Sequence, residues 1–187
     1  MKVVAILGSP RQAADSTKIA EAAAQAVLGA DGEFQKFAIN DLSVRGCQAC
    51  YACKKKAELC VIKDELAPVL AACREADYLI LASPIYIGDI TAQAKLFVDR
   101  TFSWFKPDFY DSPNAGRLAG KKILLVFTQG NPDPGFYKGS LFAALEGYFQ
   151  RQGFKAKYVV AAIPRGPEAE AKVAEAQKEA AAAIKSL

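Results

Sequence analysis

The sequence predicts an α/β fold: a doubly wound sheet of five parallel strands in the order 2-1-3-4-5. Three observations predict it. Four short apolar runs lack the apolar–polar alternation of a half-exposed strand, as burial on both faces of a parallel sheet requires. A helical pattern separates each run from the next. A fifth run is mixed in polarity, which suits a strand at the sheet edge. With strands and helices alternating, residues 1–187 read as a single domain, with a cysteine-rich loop at 40–63.

Lys2–Leu7 is the first buried run. Thr17–Leu28 follows as a helix, with Ile19, Ala23, Ala26 and Val27 at helical spacing. Glu33–Ile39 is the mixed run and takes the edge. Asp64–Glu75 carries Leu66, Val69, Leu70 and Cys73 on one stripe, so Cys73 reads as a small core residue. Tyr78–Ala82 is the third strand and Ala92–Phe102 the next helix, with Ala94, Phe97, Val98 and Thr101 on a shared face. Lys122–Phe127, the helix Gly139–Gln152 (Leu141, Leu145 and Phe149 together) and Lys157–Ile163 complete the alternation. The last helix presents Val173, Ala176, Ala180, Ile184 and Leu187 as a stripe, with a Glu168/Lys172 pair on its polar surface. That helix is scaffold.

Composition narrows the chemistry. The chain is 52% hydrophobic and 24% charged, an ordinary globular balance. It holds five cysteines and no histidine. The missing histidine excludes Ser-His-Asp and Cys-His catalysis and histidine-ligated metals. Any metal must be held by thiolates or carboxylates, and any proton transfer must use groups other than histidine or belong to a cofactor. A net charge of +4, spread along the chain, gives no reason to expect nucleic acid. No apolar run approaches the roughly 18 residues of a membrane span, and the run Val3 to Leu7 is too short for a signal-peptide core. A cytoplasmic protein with no membrane partner is expected. In that reducing compartment, clustered cysteines point to metal or redox chemistry rather than structural disulfides.

Ligands of an open parallel sheet bind beyond the carboxyl ends of the strands, where the strand order reverses. For the order 2-1-3-4-5 that point lies between the first and third strands. The loop after the first strand, Gly8 to Thr17, offers hydroxyls from Ser9, Ser16 and Thr17, the donor fork of Arg11 and a helix N-terminus. It suits a monophosphate. It is neither a Walker loop nor a G-x-G-x-x-G turn, and the same residues would also serve as a plain turn and cap. The loop after the third strand runs Ser83-Pro84-Ile85-Tyr86-Ile87-Gly88-Asp89-Ile90-Thr91. Its apolar residues beside a glycine suit a planar ring, or simply pack a tyrosine. Thr128, Gln129, Gly130 and Asn131 follow the fourth strand and can close the site.

Three blocks resemble a known group of proteins. They are Gly8-Ser9-Pro10-Arg11 with Ser16-Thr17, Ser83 to Asp89, and Ala94-Lys95-Leu96-Phe97-Val98-Asp99-Arg100. They are similar to the NADPH-dependent FMN reductase and iron–sulfur flavoprotein families, which are flavodoxin-like, and the resemblance runs from Met1 to about Gly130. It implies bound FMN. The phosphate would lie on Ser9, Arg11, Ser16 and Thr17. The isoalloxazine would lie on Pro84, Ile85, Tyr86, Ile87, Gly88 and Asp89, with help from Thr128, Gln129 and Gly130. Relatives of this kind are homodimers or homotetramers, so an oligomer is expected.

Cys47, Cys50, Cys53 and Cys60 form C-x2-C-x2-C-x6-C. The first three, two residues apart, can wrap one small object, and the wider last gap lets the chain turn back to it. Four-thiolate zinc, disulfides or free thiols are the competing readings. The resemblance adds two more. Iron–sulfur flavoproteins carry a compact motif of this kind with a [4Fe–4S] cluster, whereas related flavin reductases can keep several of these cysteines without one. Lys54, Lys55 and Lys56 are either a solvated run or cations that stabilise a reduced cluster and attract an acidic protein such as ferredoxin.

The stretch Ser103–Lys121 holds Trp104, Phe105, Phe109 and Tyr110, which either pack over the domain or face a partner subunit; the oligomeric relatives that the resemblance implies favour an interface near the flavin. Together these features favour an iron–sulfur flavoprotein joining a one-electron donor to a two-electron acceptor. A cluster-free NAD(P)H-dependent FMN or quinone reductase and a zinc-stabilised, non-enzymatic binding module are the alternatives.

Overall fold

The computed structural model describes residues 1–55, 57–112, 115–137 and 141–187. Lys56 of the lysine run and the expected helix start at Gly139 lie outside the described residues. The strands are β1 (Lys2–Leu7), β2 (Glu33–Ala38), β3 (Tyr78–Tyr86), β4 (Asp89–Ile90), β5 (Lys122–Gln129) and β6 (Lys155–Ala162). The helices are α1 (Asp15–Val27), α2 (Leu66–Glu75), α3 (Ala92–Arg100), α4 (Ala143–Arg151) and α5 (Ala169–Lys185). Five strands pair in parallel in the order β2-β1-β3-β5-β6, the order expected, and β4 pairs with β3 off that path.

Each central strand feeds two cores because its side chains alternate faces. Val3, Ala5 and Leu7 meet Ile19 and Ala23 of α1 and Val173 and Ala180 of α5 on one side. Val4 and Ile6 meet Leu66 and Leu70 of α2, with Phe97 of α3 and Phe149 of α4, on the other. Burying each Val, Leu, Ile or Phe among them stabilises the fold by about 1.5–3 kcal/mol. Cys73 is wholly buried in the second core, and burial pushes its thiol well above its ordinary value. Among the described residues no helix is long and apolar enough to cross a membrane.

Three expectations need correction. Residues 83–91 are not a free loop. β3 continues past Ala82, with Ser83 and Pro84 still paired to Phe127 and Thr128 of β5. It then folds back through Ile85↔Ile90 and Tyr86↔Asp89. The two-residue turn puts Ile87 at φ 50° and Gly88 at φ 81°, as a tight hairpin of primed type demands. Gly88 meets that demand freely, whereas Ile87 is a β-branched residue in the left-handed region.

Trp104, Phe105 and Phe109 do not form a subunit surface. All three are buried within the chain, and only Tyr110 of the four is exposed. Trp104 meets Phe97 edge-on at 5.7 Å, and Phe102 meets Phe109 at 5.2 Å. Lys172, finally, pairs with Glu175 at 2.8 Å rather than with Glu168.

Candidate functional site

At the switch point, β1 and α3 are tied directly. Thr91 caps α3 by accepting from the Ala94 N–H at 3.1 Å, and its hydroxyl donates to the Gly8 carbonyl at 2.6 Å. A Cβ on Gly8 would stand 2.6 Å from the Ala94 Cβ. Gly8 is therefore required for the close approach of helix to strand. The site loops are held on a rigid frame.

The loop after β1 has the features of an anion site. Ser9, Ser16 and Thr17 are buried and Arg11 is exposed. Ser9 Oγ accepts from the Arg11 N–H at 3.2 Å. No side chain caps α1, whose N-cap is Ala14, so its first turn keeps donors and a positive dipole end for a ligand. Ser16 Oγ is buried with no hydrogen-bond partner among the described residues. A buried hydroxyl left unpaired is costly, and an anion at this helix end would satisfy it.

Three of the expected segments meet around a cavity of about 540 Å³. Arg11 and Asp15 come from the first loop, Pro84, Ile85 and Tyr86 from β3, and Thr128, Gln129 and Gly130 from the end of β5. Ser9 and Thr17 line a small hollow that shares Arg11 with it. Gln129 is buried, and its amide donates to the Asn131 and Asp133 carbonyls at 2.9 and 2.6 Å. Its Oε1 has no partner among the described residues and can accept. Ile87 and Gly88 sit apart at the hairpin tip, with the Ile87 side chain fully exposed. Residues Ile163, Pro164, Arg165 and Gly166 complete the cavity wall. They were missed in the sequence, although a Pro-Arg-Gly turn at the carboxyl end of the last strand is a fair signal for them.

A second cavity, of about 630 Å³, contains all four clustered cysteines. Ala49 and Tyr51, at φ 48° and 55°, wind the chain tightly between the first three. Cys47 and Cys50 are exposed, Cys53 and Cys60 partly covered, and all four are free. Leu145 and Tyr148 of α4 form the opposite wall, and burial pushes the Tyr148 phenol up to about 12. Asp89, expected beside the flavin, lines this cavity instead. The β3–β4 hairpin thus shows Pro84, Ile85 and Tyr86 to one cavity and Asp89 to the other.

Arg117 donates to the Cys53 carbonyl at 3.4 Å, and two further cations stand at the cysteine loop. Lys54 is not a solvated lysine. Its ammonium donates to the Phe102 and Phe105 carbonyls at 2.5 and 2.7 Å and lies 4.2 Å from the Phe102 ring centre. Burial pushes the Cys53 thiol up, with Lys54 acting against that, and burial lowers Lys54. The second cation, Arg100, is 1% exposed. Its Nε donates to Cys60 Sγ at 2.9 Å, and its terminal nitrogens bind the Asp64 carboxylate at 2.8 and 3.2 Å. Burial would weaken the Arg100 charge, but Asp64 and Cys60 more than offset that and raise its pKa.

The donor set fits a four-thiolate centre: soft sulfur ligands on one cavity, with cations beside an object of negative charge. Among the described residues no three such side chains stand close enough to share one metal ion.

Residues 1–137 match the family model for NADPH-dependent FMN reductase. The chain belongs to that family. Among curated relatives of the family member, an iron-sulfur flavoprotein of Archaeoglobus fulgidus is 38% identical over 100 residues, 54% of this chain and 45% of that one. An iron-sulfur flavoprotein of Methanosarcina thermophila is 36% identical over 101 residues, 54% and 52% of the two chains. The matched stretch spans about half the length of these relatives. Solved structures share the fold throughout. An FMN-dependent NADH-azoreductase from Bacillus anthracis superposes with a TM-score of 0.72 at 17% identity, over 99% of this chain and 98% of that one. An NAD(P)H:quinone oxidoreductase from Methanothermobacter marburgensis does so at 0.73 and 13% identity, over 97% and 94%.

Proposed function

We propose that this member of the family is an FMN-binding iron–sulfur flavoprotein. It would pass electrons between a one-electron donor, such as a ferredoxin-like protein, and a two-electron acceptor. The observation that carries this reading is the convergence of Cys47, Cys50, Cys53 and Cys60 on one cavity that shares the β3–β4 hairpin with the other. Curated relatives bearing the name iron-sulfur flavoprotein support it.

Arg11, Ser9, Thr17 and the free first turn of α1 would hold the FMN phosphate, with Ser16 Oγ gaining its missing partner. Pro84, Ile85 and Tyr86 would bear the ring, and the free Gln129 Oε1 would accept from a ring N–H. The four cysteines would hold a [4Fe–4S] cluster. Bound, FMN handles one or two electrons and a cluster handles one, while the chain supplies orientation and electrostatics. Tyr86, Ile87 and Tyr110, exposed apolar surface on the same chain, would face a second copy in a homodimer or homotetramer.

A second reading, a cluster-free NAD(P)H-dependent FMN or quinone reductase, is favoured by the exposure of Cys47 and Cys50. Anaerobic purification followed by iron and acid-labile sulfide assays separates the two. Iron and sulfide beside FMN support the first. FMN with neither, together with NAD(P)H oxidation, overturns it in favour of the second.

A further inference from the structure

We propose that Arg100 is a positioning residue for the metal centre of the cysteine loop, fixing the Cys60 sulfur and easing reduction of the centre through an N–H donated to it. This rests on reading the four cysteines as ligands of a [4Fe–4S] cluster. Nothing in the sequence marks Arg100 for that role, since its partners come from separate segments.

The guanidinium is fully engaged. Besides Cys60 and Asp64, it donates to the Arg45 carbonyl at 2.9 Å and to the Ile62 carbonyl at 3.2 Å. Arg45 stands two residues before the first cysteine and Ile62 two after the last. The Arg45 N–H also donates to Asp64, at 2.9 Å. One buried cation therefore closes the mouth of the loop that carries all four thiols. It cannot turn away without leaving a buried charge unpaired, which is strongly unfavourable.

That rigidity holds Cys60 Sγ at one end of a charge-assisted bond. A hydrogen bond withdraws electron density from a thiolate, and hydrogen bonds to the sulfurs are among the factors that set a cluster's potential. Asp64 neutralises most of the Arg100 charge at 2.8 Å, so the N–H itself, more than the net charge, distinguishes this sulfur. A lysine has three donors on a point charge and cannot reproduce a planar fork with partners on several sides.

The test uses the full-length protein, purified and reconstituted anaerobically with iron and sulfide. Arg100→Lys keeps the charge and loses the fork. The double variant Arg100→Gln with Asp64→Asn removes both charges, so no buried charge is left alone. Circular dichroism and FMN absorbance report the fold, iron and sulfide assays the content, and an EPR-monitored redox titration the midpoint potential. The expected result is a retained fold with the midpoint moved to more negative potential, or loss of iron, in both variants. An unchanged midpoint at full iron content overturns the role of Arg100 and leaves the cluster reading intact. A wild-type protein that takes up no iron overturns the cluster reading itself. Pulsed EPR on reduced wild-type protein labelled with nitrogen-15 arginine needs no variant. A hyperfine coupling to an arginine side-chain nitrogen supports the bond, and no coupling overturns it.

Discussion

Arg100 and Asp64 form a two-pronged ion pair inside the protein, with nitrogen–oxygen distances of 2.8 and 3.2 Å. The Arg100 side chain is wholly buried and that of Asp64 is 9% exposed. The carboxylate also accepts the backbone N–H groups of Arg45 and Leu66. One pair thus joins the end of α3, both ends of the cysteine loop and the start of α2.

The pair makes stability depend on acid. Burial would raise the Asp64 pKa, but the hydrogen bonds from Arg100 and Arg45 outweigh it and hold the value below the ordinary one. A depressed folded value means the unfolded chain binds the proton first. The stabilisation is then fully present above the unfolded pKa of about 3.9 and is lost as pH falls through the lower folded value. Asp64→Asn should cost about 3–5 kcal/mol at neutral pH, because it leaves Arg100 buried without its partner. Urea titrations of both proteins from neutral pH into acid check this, with the gap between them closing at low pH.

Gly8→Ala should destabilise by about 1–3 kcal/mol through overpacking against Ala94, whose Cβ stands 2.6 Å from the new carbon. Adding Ala94→Gly should return part of that loss, less the cost of about 1 kcal/mol for glycine in a helix. A double-mutant cycle in denaturant measures the coupling. Additive losses would mean the two positions do not touch.

Thr91→Ala removes the α3 cap and the donor to the Gly8 carbonyl. The expected cost is about 2–4 kcal/mol, combining a lost cap with an orphaned buried carbonyl. Thermal denaturation reads it. Retention of FMN should also weaken, since the loop after β1 loses its anchor.

Arg11→Ala should weaken FMN about tenfold, the scale of one charge-assisted hydrogen bond, with little effect on stability because Arg11 is exposed. Fluorescence titration of the apoprotein with FMN measures it. Equal affinity would remove Arg11 from the phosphate site.

The parallel sheet was readable because each buried strand is a continuous apolar run, and Lys2–Leu7 forms as read. The meeting of Arg11, Pro84 and Gln129 at one cavity followed from the strand order. The hairpin at Ile87-Gly88 was not readable, because an isoleucine takes a left-handed position usually filled by Asn, Asp or Gly. Trp104, Phe105 and Phe109 misled because a run of aromatics looks alike whether it packs inward or faces a partner; only the tertiary fold buries them. Arg100 lay at the end of a resembling block, but its partners at 45, 60, 62 and 64 are brought together by the fold alone.

The most direct measurement is the iron and acid-labile sulfide content of anaerobically purified protein, taken beside its visible spectrum, for wild type and Cys50→Ser. The expected result is FMN in both, with iron and sulfide in equal amounts in the wild type and lost from the variant. FMN with no iron in the wild type, or iron unchanged in Cys50→Ser, would contradict the assignment of the four cysteines to a cluster.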